Sequence, residues 1–250
     1  MRRDGSIQYA DYITVLNAVA GFLAITFIID RRFFETALLI MAAICLDGLD
    51  GLVARRYGDG GGKGHYLDSF ADTISFCIAP ALLLYTMFYD ISKGSAWVAP
   101  ENTLAVVAST LVAAFGILRL ARFVESDHDK SGFRGLPTPA NAILITTTAY
   151  LFGPNYGIPV LLFSVLTSFL MISDVPYPKV GDAFRSVLGI IIVIIGTISL
   201  IFLFIAASPS AIVEIIFTFA LAATLGYLIG GPLYAGRPRP RSKVLRMQRE

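Results

Sequence analysis

The sequence predicts an all-α integral membrane protein, a bundle of about eight transmembrane helices. Three observations predict it. Of 250 residues, 56% are hydrophobic and only 15% are charged, with a mean hydropathy of +0.70. The apolar residues fall in runs close to the ~20 residues that cross a bilayer as a helix. Lys and Arg gather on alternate connections, the positive-inside pattern of a multi-pass chain. An ordinary soluble domain is excluded, and the connections leave no room for a separate one.

The first span is expected at Tyr12–Ile29, after Arg2 and Arg3. It is long for the apolar core of a signal peptide and lacks a small-residue cleavage site, so it reads as a retained helix. Phe33–Val53 follows and carries Asp47 and Asp50 near its end; Leu67–Tyr89 carries Asp68 and Asp72 near its start. Thr103–Val124 is the fourth span. Ala140–Phe152 and Ile158–Ser173 are short, and Val187–Ala206 and Ala211–Ile229 complete the set. No internal repeat is visible, so residues 1–235 form one transmembrane domain. Beyond them, Gly236-Arg-Pro-Arg-Pro-Arg-Ser-Lys cannot form a regular helix through its prolines. Residues 236–250 read as a basic cytoplasmic tail near anionic headgroups, or simply as the flank that stops transfer.

An even number of spans puts both termini on one side. Placing them in the cytoplasm leaves only Arg31, Arg32 and Lys93, of 20 Lys and Arg, on the outer side. The net charge of +2 carries little information beside that distribution. The two cysteines, Cys45 and Cys77, both fall in expected spans. They make no disulfide framework and read as small buried hydrophobes.

The acidic residues carry the chemistry. The run Asp47-Gly-Leu-Asp50-Gly51-Leu-Val-Ala54-Arg55 is followed by eight residues, then Gly64, Asp68 and Asp72 at intervals of four. Asp47 and Asp50 stand at i,i+3, and Asp68 and Asp72 at i,i+4, so each pair shares a helix face. A carboxylate at a helix centre in the membrane costs about 2.5–3.5 kcal/mol on insertion scales. Four together call for a compensating cation, and hard oxygen donors suit Mg²⁺, Mn²⁺ or Ca²⁺. Asp47 lies about 20 Å from the outer end of its span at 1.5 Å per residue. The cluster is therefore expected near the cytoplasmic interface, where a polar head can meet it while lipid tails stay in the bilayer. Five glycines in the run from Arg56 to Gly64, Gly64 included, permit a tight turn and close backbone approach to a ligand; a flexible connector is the competing account of Gly60–Gly62.

This spacing resembles the signature of the CDP-alcohol phosphotransferase family, D-x-x-D-G-x-x-A-R-x8-G-x-x-x-D-x-x-x-D, and matches all eight specified positions across 26 residues. The resemblance implies a donor that is a CDP-lipid, CDP-diacylglycerol or CDP-archaeol, and a pair of divalent ions, Mg²⁺ or Mn²⁺. It implies Asp47, Asp50, Asp68 and Asp72 as metal ligands, with Asp72 also the general base for the acceptor hydroxyl. Gly51, Ala54, Arg55 and Gly64 would hold the CDP moiety, Arg55 through its planar donor fork. Asn17 is a candidate contact to nucleotide or headgroup, or an interhelical hydrogen-bonding group. A homodimer is likewise implied by the resemblance alone, and no nucleic-acid partner is expected.

Two further stretches bear on the acceptor. Leu118-Arg119-Leu-Ala-Arg122-Phe123 and Phe133-Arg-Gly135-Leu136-Pro137-Thr-Pro139-Ala140 resemble patterns of the phosphatidylserine synthase branch of that family. Ser75-Phe76-Cys77-Ile78-Ala79-Pro80-Ala81, and Leu170-Met171-Ile-Ser173 with Tyr177-Pro178, are similar to others. The resemblance implies L-serine as acceptor, its carboxylate facing Arg119 and Arg122. Phe133, Gly135, Pro137, Pro139 and Asn141 would form the acceptor pocket. The two arginines could equally bind phosphate, or snorkel to the interface. The Gly-Leu-Pro-x-Pro stretch could equally be a helix-entry turn with Pro near the first position. Cys77 stands where the pattern commonly has Gly, and Asn141 where it commonly has Ala. His65 and His128 carry no assigned role.

Two other functions compete. Glycerol 3-phosphate or an inositol phosphate as acceptor would need additional basic residues facing the cavity. An ion-coupled transporter would need inverted repeats and paired interrupted helices, which the sequence lacks.

Overall fold

The computed structural model describes residues 9–57, 62–95, 99–126, 134–177 and 209–235. The expected span Val187–Ala206, the basic tail, the glycines at 58–61, Phe133 and His128 lie outside the described residues, as do the side chains of Arg55 and His65.

Among the described residues the chain is helical, without strands. The helices are α1 (Tyr9–Ile29), α2 (Phe33–Tyr57), α3 (Gly62–Asp72), a π-helical segment (Thr73–Ile78), α4 (Ala79–Phe88), α5 (Pro100–Ser126), α6 (Thr138–Phe152), α7 (Gly157–Ile172) and α8 (Pro209–Ala235). Five stretches are long and apolar enough to cross a membrane: Ala10–Ile29, Phe33–Ala54, Tyr66–Phe88, Pro100–Arg122 and Val213–Pro232. These correspond to the first four expected spans and the last. The α6 and α7 helices, at 15 and 16 residues, are shorter than a full crossing, as their sequences indicate.

Small residues let the helices approach, the usual packing solution where lipid is as apolar as the interface. Ala24 of α1, Ala37 and Ala43 of α2, and Ala105 and Ala108 of α5 are fully buried. Ala24, Ala43, Ala105 and Ala108 join Phe76, Leu84 and Ile145 in a core shared by α1, α2, the π segment, α4, α5, α6 and α7. A second cluster, including Leu136, Leu144, Met171, Tyr177 and Leu221, binds α6 and α7 to α8. Bulky residues such as Phe22, Leu49, Leu52, Leu162 and Phe169 stay on the outer surface, suited to lipid.

Local chemistry explains the connections. Arg31 turns in the left-handed region (φ 57°) between α1 and α2. Asn102 closes the α4–α5 connection: its Nδ2 donates to the carbonyls of Asp90 and Gly94 at 2.8 Å, and its Oδ1 accepts from Asp90 N at 2.9 Å. The π segment is explained by Pro80, which lacks an N–H and whose ring would press on the carbonyl four residues back. A wider turn upstream relieves both, and such turns favour functional sites. This one begins immediately after Asp72.

Cys45 corrects one expectation. Cys77 is buried, but Cys45 is exposed. It lies at helical spacing from Leu38, Leu49 and Leu52, all exposed, on the side of α2 turned away from the bundle.

Candidate functional site

The site is assembled on α1. Both α2 and α3 pack against it, and this brings the two halves of the acidic motif together. Carboxylate oxygens of Asp47, Asp50 and Asp68 lie within 4.8 Å of one another. Asp50 and Asp72 are buried, whereas Asp47 and Asp68 are half-buried. Four acids in such surroundings repel one another and lose hydration, which a cation bound by oxygen would offset. Among the described residues the donors are hard carboxylates, a set that fits Mg²⁺ or Mn²⁺.

Two α1 side chains orient these acids. Thr14 Oγ1 donates to Asp50 Oδ2 at 2.8 Å, and Asn17 Nδ2 donates to Asp72 Oδ1 at 3.2 Å. The Asn17 carbonyl also accepts from Ser75 Oγ at 2.9 Å, so one position of α1 grips the chain on both sides of the start of the π segment. Gly21, one turn further along α1, makes the approach possible: a Cβ there would lie 2.3 Å from Ser75 Oγ. Asp72, one helical turn beyond Asp68 on α3, is outside the three-carboxylate group.

Around the CDP-motif positions, Gly51 and Ala54 are half-buried on α2. Gly64 sits in the first turn of α3, where a Cβ would lie 3.3 Å from Asp11 Oδ1. Asp11, Thr14 and Asn17 form a stripe at intervals of three on α1. Only Asn17 is among the sequence candidates, although the polar stripe on an apolar helix is itself a readable signal.

The acceptor-side candidates meet at one junction. Gly135 N donates to Val175 O at 2.8 Å, Leu136 N donates to Leu170 O at 3.0 Å, and Arg134 pairs with Pro176 in an isolated bridge. Gly135 takes φ +78°, and a Cβ there would lie 2.2 Å from the Met171 carbonyl. Arg119 Nε donates to Leu136 O and Arg122 Nη1 to Ile172 O, each at 2.8 Å. Arg119 is only 6% exposed and does not snorkel, while Arg122 is exposed. Pro137 caps α6 and Pro139 lies in its first turn, so this stretch is a helix-entry turn. Asn141 is fully buried, and neither amide atom has a hydrogen-bond partner among the described residues.

Cys77 packs against α5. At Gly116 a Cβ would lie 2.6 Å from Cys77 Sγ. The residue that departs from the usual motif Gly thus faces a glycine on the neighbouring helix.

Comparison with known proteins places this geometry. Residues 7–226 match the family model described as CDP-alcohol phosphatidyltransferase. Over 173 residues the chain is 39% identical to a CDP-diacylglycerol–serine O-phosphatidyltransferase of Methanocaldococcus jannaschii, covering 69% of this chain and 75% of the relative. It is 35% identical over 176 residues to an archaetidylserine synthase of Methanothermobacter thermautotrophicus, covering 70% and 71%. A CDP-diacylglycerol–serine O-phosphatidyltransferase of Helicobacter pylori is 31% identical over 180 residues, covering 68% and 72%.

Proposed function

The chain belongs to the CDP-alcohol phosphatidyltransferase family, and from that premise we propose that it transfers a phosphatidyl or archaetidyl group from a CDP-lipid to the hydroxyl of L-serine, releasing CMP. The observation that carries the reading is the convergence of Asp47, Asp50 and Asp68 beside an Asp72 held by Asn17. Relatives named as serine transferases supply the acceptor class.

In the proposed reaction the serine hydroxyl oxygen attacks the lipid-bearing phosphorus of the pyrophosphate. A new P–O bond forms, the bond to CMP breaks, and Asp72 accepts the hydroxyl proton. Asn17 holds one Asp72 oxygen, which leaves the other to face the acceptor. Asp47, Asp50 and Asp68, with Asp72, would hold two divalent ions. When bound these supply charge neutralisation of the pyrophosphate and the leaving group. Gly51, Ala54 and Gly64 would line the path for CDP, and the family motif assigns Arg55 to a phosphate. Arg119, Arg122 and Asn141 would face the acceptor, with Gly135, Pro137 and Pro139 shaping its pocket and Phe133 assigned to it by the motif alone. Positioning and charge neutralisation supply most of the rate in such displacements.

The protein is a multi-pass membrane protein. We further place the active site near the cytoplasmic interface of the cell membrane, in an eight-span homodimeric protein with both termini inside, one transmembrane domain over 1–235 and a basic tail over 236–250. The charge asymmetry of the connections supports that orientation.

The test is CMP release from purified protein with divalent metal, with either CDP-diacylglycerol or CDP-archaeol, and with or without L-serine. Serine-dependent release that Asp72→Asn abolishes upholds the reading, and the preferred donor identifies the tail. Release that ignores serine but responds to glycerol 3-phosphate or an inositol phosphate overturns the acceptor.

A further inference from the structure

The first turn of α6 is buried, yet its polar side chains have nothing to bond. We propose that this turn is a socket for the zwitterionic head of the acceptor. Thr138 Oγ1, Asn141 Nδ2 and the leading N–H groups of the helix meet the carboxylate, and Asn141 Oδ1 accepts from the ammonium. The inference rests on the serine-transferase reading and deepens it: Thr138 and the end of α6 join the acceptor side, and each amide atom of Asn141 receives a part.

Thr138 and Asn141 are both fully buried. Among the described residues, five buried side-chain atoms lack a hydrogen-bond partner, and three of them are Thr138 Oγ1, Asn141 Nδ2 and Asn141 Oδ1. Asn17 Oδ1 and Thr146 Oγ1 stand singly; the first turn of α6 gathers the rest. Neighbouring hydroxyls are answered within their own helices. Thr147 and Thr148 of α6, and Ser164 and Ser168 of α7, each donate to the carbonyl four residues back. Thr138 stands at the first position of its helix, where no helical carbonyl precedes it. A buried amide left unpaired loses its hydration without return, and a bound guest supplies that return.

The backbone points the same way. Pro137 caps α6 without a side-chain hydrogen bond, and Pro139 lies in the first turn. Neither has an N–H, and Asn141 N already donates to Pro137 O. The N–H groups of Thr138 and Ala140 are therefore the donors that α6 offers at its positive end. A helical side chain leans back over the turn before it, which sets the Asn141 amide beside Thr138 and those N–H groups. Donors from two side chains and a helix end suit a carboxylate. An ammonium on the next carbon answers Asn141 Oδ1, so an α-amino acid satisfies the whole set.

The place in the bundle fits an acceptor. Ala142, Ile145 and Ala149 of α6 pack in one core with Phe76 of the π segment. Ala140 and Leu144 pack in the other, with Leu136 and Met171. By helical spacing, Asn141 lies on the face between them. The π segment that follows Asp72 packs on α6, and Leu136, which accepts from Arg119, comes just before the turn. Asn141 replaces the usual Ala of the motif, so its share of the socket is particular to this chain.

The experiment measures CMP release by wild type, Asn141→Ala and Thr138→Val, full chain in detergent under saturating metal, with melting temperatures taken without serine. Loss of a hydrogen bond to a charged guest should raise KM for L-serine about tenfold. KM for the CDP-lipid and kcat should stay within about threefold. The melting temperature should hold or rise, because an unpaired buried group has been removed. Weaker acceptor binding without loss of stability is not the mark of a packing residue. Thr138→Val keeps the side-chain shape and decides by the same constant should Asn141→Ala not fold. A serine KM unchanged in both variants overturns the proposal. So does a lowered melting temperature with unaltered kinetics, which would give the amide a buried water as its partner. A wild type that shows no serine-dependent release with either lipid fails the serine reading and takes this inference with it. A serine-competent wild type with silent variants fails the inference alone.

Discussion

Asn17 and Asp72, from helices far apart in sequence, share a buried hydrogen bond of 3.2 Å from Nδ2 to Oδ1. The bond fixes one oxygen of the carboxylate assigned as general base. A hydrogen bond to a charged group contributes roughly 1.5–3 kcal/mol, about ten- to a hundredfold in rate if lost at the transition state. Asn17→Leu is therefore expected to lower kcat by that factor with little change in KM for serine. Steady-state CMP release checks it, and an unaltered kcat would remove Asn17 from the site.

Cys77 and Gly116 form a second coupled pair. Alanine at 116 would bring its Cβ within 2.6 Å of Cys77 Sγ and 3.1 Å of Cys77 Cβ, so rotating the thiol alone does not clear the space. Overpacking of this kind costs about 1–3 kcal/mol. Gly116→Ala should lower the melting temperature in detergent, and Cys77→Gly in the same chain should restore most of the loss. Additive effects in the double variant would show that the two positions are not in contact.

Much of this site is legible in the sequence because helical spacing is local. Intervals of three and four put each Asp pair on one face before any tertiary information enters. That Asp47, Asp50 and Asp68 converge is a different matter, for it depends on α1, which packs against both α2 and α3. The polar stripe Asp11, Thr14, Asn17 announces that role, yet only Asn17 attracts notice on residue type alone. Pro80 signals the π segment in the same understated way. The environment of Arg119 was not legible. Whether an arginine at a helix end snorkels or is buried depends on where the 134–136 stretch returns, and that return is set by hydrogen bonds to residues 170–175.

Gly135 is the position where that return admits no side chain. At φ +78° a residue with a Cβ is strained by about 1–2 kcal/mol, and here the Cβ would also meet the Met171 carbonyl at 2.2 Å, a backbone atom that cannot step aside. Gly135→Ala should displace the junction that holds Arg119 and Arg122. Loss of at least about 2 kcal/mol of stability is expected, read as a lowered unfolding midpoint, together with a raised serine KM. A variant with wild-type stability and kinetics would mean that the junction is not formed as described.

Thr14 offers a way to test the metal site without removing a carboxylate. Its hydroxyl donates to Asp50 Oδ2 at 2.8 Å, and a partner of this kind orients a ligand, with losses of about 10–100-fold in metal affinity when it is removed. Chelation with EDTA should abolish CMP release, and Mg²⁺ or Mn²⁺ should restore it. Asp47→Asn, Asp50→Asn and Asp68→Asn each remove a charge from the cluster and should not be restored by any practical metal concentration. Thr14→Val should behave differently. The metal concentration for half-maximal rate should rise about tenfold, while the rate at saturating metal stays near wild type, because all four carboxylates remain. A titration that gives Thr14→Val the wild-type midpoint would separate the Thr14–Asp50 contact from metal binding. A loss that saturating metal cannot restore would assign Thr14 to the fold of α1 against α2 instead.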